Sequence, residues 1–505
     1  MLHDYLEKSV QNKLNILYVI HTRGSVSGRQ LSEILDLSMS GVALLVNEIN
    51  TQLKGYASIV NTASNLSLQY QNNSNLTSLV HIICHSSNIL KCLAFYIGNN
   101  NCQPFSAFYD KYFISQANAY RIRQSCKDYL RSIDLDLCQN TVCGEEYRIR
   151  FLIALLHYKY GINCCNITER DITTVRRYIL STNHCIDQKY LQHMQIEYGY
   201  FEDLFILSWK RKQFDIKMPH NSQLEKLKNV FIYQKMKETV RNSLEKEVGI
   251  TFSEDDLDYM YLVYCSTNSC LFADQWKKAD IQLVHDAVFS DQLFVNLMMR
   301  VEKVFGKEVA QSHPIRVTFI YFYKKTLYGL CCLIPDEHFY MDANHRTSTQ
   351  ILYQLLSDMI GSWKEENRLK NAIDRTHIYY LTLQIEFILR SKLAKVPMYV
   401  ISDQNGELEV MHFTMEHYFA SRCREIRPLL INAQNISFLY SQNTCVIILE
   451  KKFECIVEQH MHTDSKRRII SLTVEKGRRE IRMIEDAISA CEEEIFQDYL
   501  HSIYA

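Results

Sequence analysis

The sequence predicts a mainly α-helical protein of several domains, with winged helix-turn-helix modules at its start and a small α/β domain at its C-terminal end. Three observations predict it. Only 14 Gly and 6 Pro occur in 505 residues, too few for hairpin-rich sheets, glycine phosphate loops or long flexible linkers. Apolar residues recur at three- and four-residue steps through most of the chain, the period of helices with one buried face. Alternating or β-branched runs stand out near residues 58–68 and again after Pro397, where short strands are expected. A chain of this length outgrows one hydrophobic core, so about three to five domains are expected.

Taken in order, Leu6, Val10, Leu14, Leu17 and Ile20 mark one face of a helix from about Asp4 to His21. After Gly24, Ser27 is placed to cap a short helix to Leu35. A tight turn at Asp36-Leu37-Ser38 leads into a second helix from about Met39 to Leu53, capped by Ser38 or Ser40. Val42, Leu45, Val46 and Ile49 would face the core and leave Ser40, Gly41 and Asn47 exposed, the pattern of a helix-turn-helix. Ser58-Ile59-Val60 and Leu66-Ser67-Leu68 would add a wing.

The arrangement repeats after the Asn-rich break at residues 72–75. A helix is expected over 76–97, then a short helix from Pro104 to Tyr112, a turn at Phe113-Ile114-Ser115, and a long helix capped by Ser115 and running to about Ile133. Its exposed face would carry Gln116, Asn118, Arg121, Gln124 and Lys127, with Arg123 nearby, while Ala117, Tyr120, Ile122 and Tyr129 would supply apolar packing around the helix. Asn, Gln and Arg are the side chains able to form paired hydrogen bonds to base edges. The net charge of −1 gives no general attraction to phosphate, but between Lys111 and Arg131 five basic residues (Lys111, Arg121, Arg123, Lys127, Arg131) stand against Asp128 alone. Residues 134–142 would form a second wing, and Gly144-Glu145-Glu146 would start a helix through Tyr160.

From Asp171 to about Lys395 two further helical domains are expected, separated near residues 275–280. Met260–Tyr264, Thr318–Tyr323 and Ile378–Leu389 read as buried helix faces. Met398-Tyr399-Val400-Ile401 and Cys445-Val446-Ile447-Ile448-Leu449 then read as strands of an α/β domain whose last helix spans about Arg479 to Ser502. The implied domains are 1–72, 73–165, 166–280, 281–395 and 396–505.

Several classes are set aside. The start Met1-Leu2-His3-Asp4-Tyr5 does not have the form of an export signal, so a cytoplasmic setting is expected, in which the 17 cysteines are mostly buried thiols. Pairs such as Cys164-Cys165 and Cys331-Cys332 have no zinc or redox spacing, so neither a metal nor a cofactor is expected. The longest apolar stretch, about Phe319 to Leu333, is interrupted by Lys324 and Lys325, too short for a bilayer span. No G-x-S-x-G, H-E-x-x-H or G-x-x-x-x-G-K motif occurs, and no enzyme is expected.

The order of parts resembles the Mga and AtxA type of virulence regulators of Gram-positive bacteria. The sharpest likeness lies in Phe113-Ile114-Ser115-Gln116-Ala117-Asn118-Ala119-Tyr120-Arg121 and in Cys143-Gly144-Glu145-Glu146-Tyr147-Arg148-Ile149-Arg150, similar to that family's S-x-x-x-x-Y-R and G-E-x-x-x-I-R patterns. The resemblance implies a transcription regulator, an activator, that binds double-stranded promoter DNA. Its two helical domains would be similar to those phosphorylated on histidine by the phosphocarrier protein of the sugar phosphotransferase system. Candidate histidines are His184, His193 and His220 in the first such domain and His345 and His377 in the second. His377 follows Asp374-Arg375-Thr376 and leads a helix containing Glu386 and Arg390, whereas Gln384 stands where related domains carry a histidine. The last domain looks like phosphotransferase EIIB components, but its loop Ser402-Asp403-Gln404-Asn405-Gly406 has no phosphate-carrying cysteine, so its implied role is homodimerisation. The alternative is an antiterminator-like regulator acting through protein or RNA contacts, whose N-terminus would be β-rich.

Overall fold

The computed structural model describes residues 2–62, 65–99, 103–182, 195–267, 271–335, 347–369, 373–393, 395–454, 466–472 and 478–504. They fall into two units. The first comprises Met1–Val301, Arg316–Asn344 and Ile360–Leu381, and the second Glu302–Ile315, His345–Met359 and Thr382–Ala505.

The first unit begins with α1 (Leu2–Tyr5) and α2 (Lys8–Arg23), two helices in place of the single one expected. β1 (Ser25–Ser27), α3 (Gly28–Leu35), α4 (Met39–Gln52), β2 (Ala57–Thr62) and β3 (Asn65–Tyr70) complete a winged helix-turn-helix. Ser27 caps α3 through a reciprocal box with Gln30, and Ser38 caps α4 by accepting the Gly41 N–H at 3.1 Å. The antiparallel sheet has the order β1-β3-β2. Asn50 ties the wing to α4, exchanging bonds of 2.9 and 2.7 Å with the backbone of Ile59.

In the second module the long first helix is again two, α5 (Leu76–Cys84) and α6 (Asn88–Gly98), bent by 80°. Ser87 caps α6 by accepting the Leu90 N–H at 3.3 Å, and a residue outside the module supports the same break. Glu7, in the gap between α1 and α2, accepts from Ser87 Oγ at 2.6 Å and from the backbone N–H groups of Asn88 and Ile89 at 2.8 and 3.1 Å. A carboxylate of the first module thus satisfies the open amides of a helix in the second. α7 (Ser106–Lys111), α8 (Gln116–Ser132), the hairpin β4 (Asp136–Cys138) and β5 (Thr141–Cys143), and α9 (Glu146–Tyr160) follow. α5 and α6 are apolar enough together to suggest a broken membrane span, but their apolar side chains lie in the core. No single helix among the described residues is long and apolar enough to cross a membrane.

Beyond α10 (Glu169–Thr182) the expected helices are present: Gln195–Lys210, Ser222–Leu227, Phe231–Thr239 and Glu254–Ser266 precede the break, and Lys278–Phe289, Gln292–Phe305, His313–Lys324, Thr347–Glu366 and Arg375–Lys392 follow it. Tyr259, Met260, Leu262 and Val263 lie in the core that also holds the buried side chains of both modules.

In the second unit a four-stranded parallel sheet has the order β7 (Cys423–Leu430), β6 (Val396–Ser402), β8 (Cys445–Glu450), β9 (Arg467–Leu472). Both faces are covered. Met398, Val400, Val446 and Ile448 pack with Met411, Met415, Ile484 and Ile488 of the helices Asn405–Phe419 and Arg478–Tyr504 on one side. Tyr399, Ile401, Ile447 and Leu449 pack with Leu439 on the other. This alternation explains why β6 and β8 read as continuous apolar runs. The loop after β6 is short, since the next helix begins at Asn405. There Asp403 and Glu450 are bridged by Lys452 at 2.8 and 2.9 Å, with Glu407 beside them.

Candidate nucleic-acid interface

The reading surface of the second module starts from its aromatic core. Phe105 stacks on Tyr96 and Phe108, with ring centres 5.8 and 5.5 Å apart, and Tyr109 meets Phe105 edge-on. These rings fix α7 against α6. The turn that follows is held by the Ile114 N–H donating to the Tyr109 carbonyl at 2.9 Å, and it places Phe113 in the left-handed region at φ 54°. α8 then buries Ala119, Ile122, Cys126, Tyr129 and Leu130 and turns its other face to solvent.

Ser115, Gln116, Asn118, Arg121 and Gln124 are exposed, and so are Ala117 and Tyr120, which correct the expectation of apolar packing: Ala119 and Ile122 take the inward positions of these turns instead. Gln124 donates to Asp128 at 2.8 Å. Lys111 is exposed at the end of α7, and Lys127 is half-buried. Arg123 is half-buried too, its guanidinium 5.3 Å from the Phe105 ring centre, so it supports the aromatic core as well as adding charge. Arg131 reaches Asp136 of the wing at 3.3 Å, and the Leu137 amide and Arg131 together hold that carboxyl below the usual carboxylate range. Ser115 stands at the N-cap with extended backbone, yet its hydroxyl makes no cap bond. The expectation that Ser115 caps α8 through its side chain is therefore corrected: the extended turn after Phe113 supplies N-cap geometry without the bond.

The wing holds an exception to the thiols expected, which are mostly buried among the described residues. Cys138 and Cys143 form a disulfide, with Cα atoms 5.9 Å apart. Gln139 and Asn140 both adopt positive φ, 51° and 66°, as a tight two-residue hairpin requires. In the hairpin Cys138 faces Thr141 and Cys143 faces Asp136, so the two cysteines bond diagonally across the strands, a pairing that spacing in sequence did not reveal. Asn99 donates to the Asn140 carbonyl at 2.9 Å and pins the wing tip to the end of α6.

Gly144 opens α9 at φ 139°, and a Cβ there would lie 2.5 Å from Leu135 Cδ2, so glycine is required. The arginines after it turn inward. Arg150 is fully buried, its Nε 3.0 Å from Glu146, and its Nη2 donates to the carbonyls of Arg211 and Phe214. Arg211 grips both Glu146 oxygens at 2.7 and 2.8 Å; burial opposes its charge, but Glu146 outweighs that and raises its pKa. Arg148 donates to the Tyr328 carbonyl at 2.6 Å and lies 3.5 Å from Asp134. This pattern thus ties the second module to the helical region behind it, a role that motif and spacing alone do not assign.

In the first module α4 exposes Ser40 and Asn47 as expected, but Gly41 is half-buried and the apolar Met39 and Leu44 are exposed alongside them. Lys13 and Glu48 pair at 2.8 Å. Of the candidate histidines, His184, His193 and His345 lie outside the described residues. His220 is exposed, next to Pro219, whose carbonyl accepts from the Tyr328 hydroxyl at 2.9 Å. His377 is 2% exposed, with Nε2 3.0 Å from the carbonyls of Cys331 and Ile334 and Nδ1 3.1 Å from Lys325 Nζ. Those partners assign the hydrogen to Nε2 and leave no ring nitrogen facing a phosphoryl donor in this conformation. Glu386 and Arg390 pair with each other at 2.8 Å, and Arg390 reaches Glu493 at 2.5 Å.

Two protein-family models match the chain. The Mga helix-turn-helix domain matches residues 72–157, and the M protein trans-acting positive regulator (MGA) PRD domain matches residues 177–386. Together they span more than half of the sequence. No curated protein matches it.

Proposed function

The chain belongs to the Mga family of transcription regulators, and from that premise we propose that its second module binds promoter DNA through α8, as an activator. Its two matched domains make it a regulator of transcription linked to the phosphotransferase system. The observation that carries the proposal is the split of α8: five apolar side chains buried, and Gln116, Asn118, Arg121 and Gln124 on the open face. In this reading those four approach base edges, while Lys111, Lys127 and Arg131 meet phosphates and Arg123 adds charge at the helix flank. Ser40 and Asn47 of the first module make a smaller contribution.

Regulation is proposed to act from the helical region. Phosphorylation of His220 by the phosphocarrier protein would put about two negative charges beside the Pro219 carbonyl. Tyr328 bonds that carbonyl and offers its own to Arg148, so the change reaches α9 directly. The C-terminal domain is proposed to form the homodimer, which would bring paired modules to two sites.

The test is a gel-shift titration on duplex DNA at two salt concentrations, comparing wild type with the Arg121→Ala, Arg123→Ala double variant. Tight wild-type binding that weakens with salt by a log-log slope of about −0.9 per phosphate contact, and that the variant loses, is the expected result. Equal binding by the variant removes α8 from the interface.

A further inference from the structure

Among the described residues, the most exposed large apolar side chain sits on the reading surface. Phe113 is 97% exposed, and its backbone occupies the left-handed region at φ 54°, where a non-glycine residue is under steric cost. Neither property helps the fold. A glycine would relieve the backbone, and the side chain stands clear of the aromatic cluster immediately before it in the chain.

The backbone around Phe113 is nonetheless fixed. The Phe113 N–H donates to the Asp110 carbonyl at 3.4 Å and the Ile114 N–H to the Tyr109 carbonyl at 2.9 Å, so the ring is presented from a rigid turn directly before α8. Its surroundings specify the occupant. Exposed Ala117 and Tyr120 continue the apolar surface onto the start of α8, and the exposed charged groups nearest it in the chain are Lys111 and Arg121, with one carboxylate, Asp110. An apolar surface with a net excess of positive charge about it matches a duplex groove, where phosphates run along both edges and the floor carries one apolar group, the C5-methyl of thymine in the major groove.

We infer that Phe113 is a specificity residue that packs on thymine C5-methyl groups in the major groove. The inference rests on the proposal that α8 is the reading helix and adds what part of its sequence preference comes from apolar contact. The exposed ring loses water-facing surface only when DNA is present, which accounts for its exposure in the free protein.

The experiment enriches a duplex from a randomised library with the full-length protein, then prepares that duplex twice, with thymidine and with deoxyuridine in its place. Wild type is expected to bind the uracil duplex about fourfold more weakly for each methyl contacted, the factor expected for losing burial of one apolar carbon. Phe113→Ala is expected to bind the thymine duplex more weakly by a similar factor and to bind the two duplexes equally. Phe113→Gly is expected to behave in the same way while melting at a higher temperature than wild type, which separates loss of contact from loss of fold. Equal wild-type affinity for both duplexes overturns the assignment, and so does a Phe113→Ala variant that still prefers thymine or that weakens on both duplexes while keeping that preference. Failure of wild type to enrich any duplex overturns the underlying DNA proposal together with it.

Discussion

The two winged modules share a plan and differ in what their second helices show to solvent. α4 is capped by Ser38 and exposes Met39, Ser40, Ala43, Leu44 and Asn47, with no charged side chain among them. α8 lacks a side-chain cap and exposes Gln116, Asn118, Arg121 and Gln124 together with the apolar Ala117 and the ring of Tyr120. The second module is also closed by a disulfide-bridged wing and bolted through α9 to the helices behind it. The difference teaches that a repeated fold does not imply a repeated role. α8 has the charge and hydrogen-bonding groups for DNA, whereas α4 is suited to weaker, largely apolar contact.

The comparison can be broken most severely at its anchorage. Replacing Arg150 by Ala strips Glu146 of one partner and leaves buried acceptors unpaired, and is expected to destabilise the protein by about 3–5 kcal/mol, read as a fall in the denaturant midpoint. An unchanged midpoint would mean that the second module is not held through α9. Next in size, Arg121→Ala should weaken DNA binding by about 1–3 kcal/mol, while Asn47→Ala in the first module should cost well under about 1 kcal/mol. Titrations of the two variants on one duplex decide the matter, and equal losses would erase the distinction drawn between the modules.

Glu7→Ala removes the cap that the first module lends to α6 and is expected to cost about 1 kcal/mol of stability, measured by thermal melting. The smallest effect concerns pH. Burial lowers the pKa of His81, whose Nε2 lies 3.0 Å from the Tyr158 carbonyl. The folded protein therefore prefers the neutral ring, and this contribution is present above the ordinary value of 6.5 and lost as pH falls through the lowered one. Melting wild type and His81→Gln on both sides of that value should show a shallower acid loss in the variant. His157, raised by Asp203 against the effect of burial, contributes with opposite sign but is common to both proteins, so the difference reports His81.

Much of this was legible in the sequence where periodicity carries the signal. The helices of both modules, the buried sets Val42, Leu45, Val46 and Ile49 and Ile122 and Tyr129, and the strands β6 and β8 follow from spacing alone. What spacing missed depends on partners distant in the chain. The break before α6 joins a local cap, Ser87 accepting the Leu90 N–H, to a distant one, Glu7 meeting Ser87 from eighty residues away. β7 was missed because it is an edge strand whose Arg424, Glu425, Arg427 and Pro428 are exposed, leaving no apolar alternation to read. Arg148 and Arg150 stand in the sequence only as part of a family pattern, and their inward course is visible only once Glu146, Arg211 and Tyr328 are in place.

The loan of Glu7 to α6 bears on promoter architecture. A helix capped by a neighbouring module is not joined to it by a swivel, so the two modules of one chain act as a caliper with a set opening. A duplex engaged by both must present its two contact patches in a fixed rotational phase. Moving one patch by half a turn of the double helix, about five base pairs, would place it on the far side of the DNA, out of reach without twisting the DNA itself.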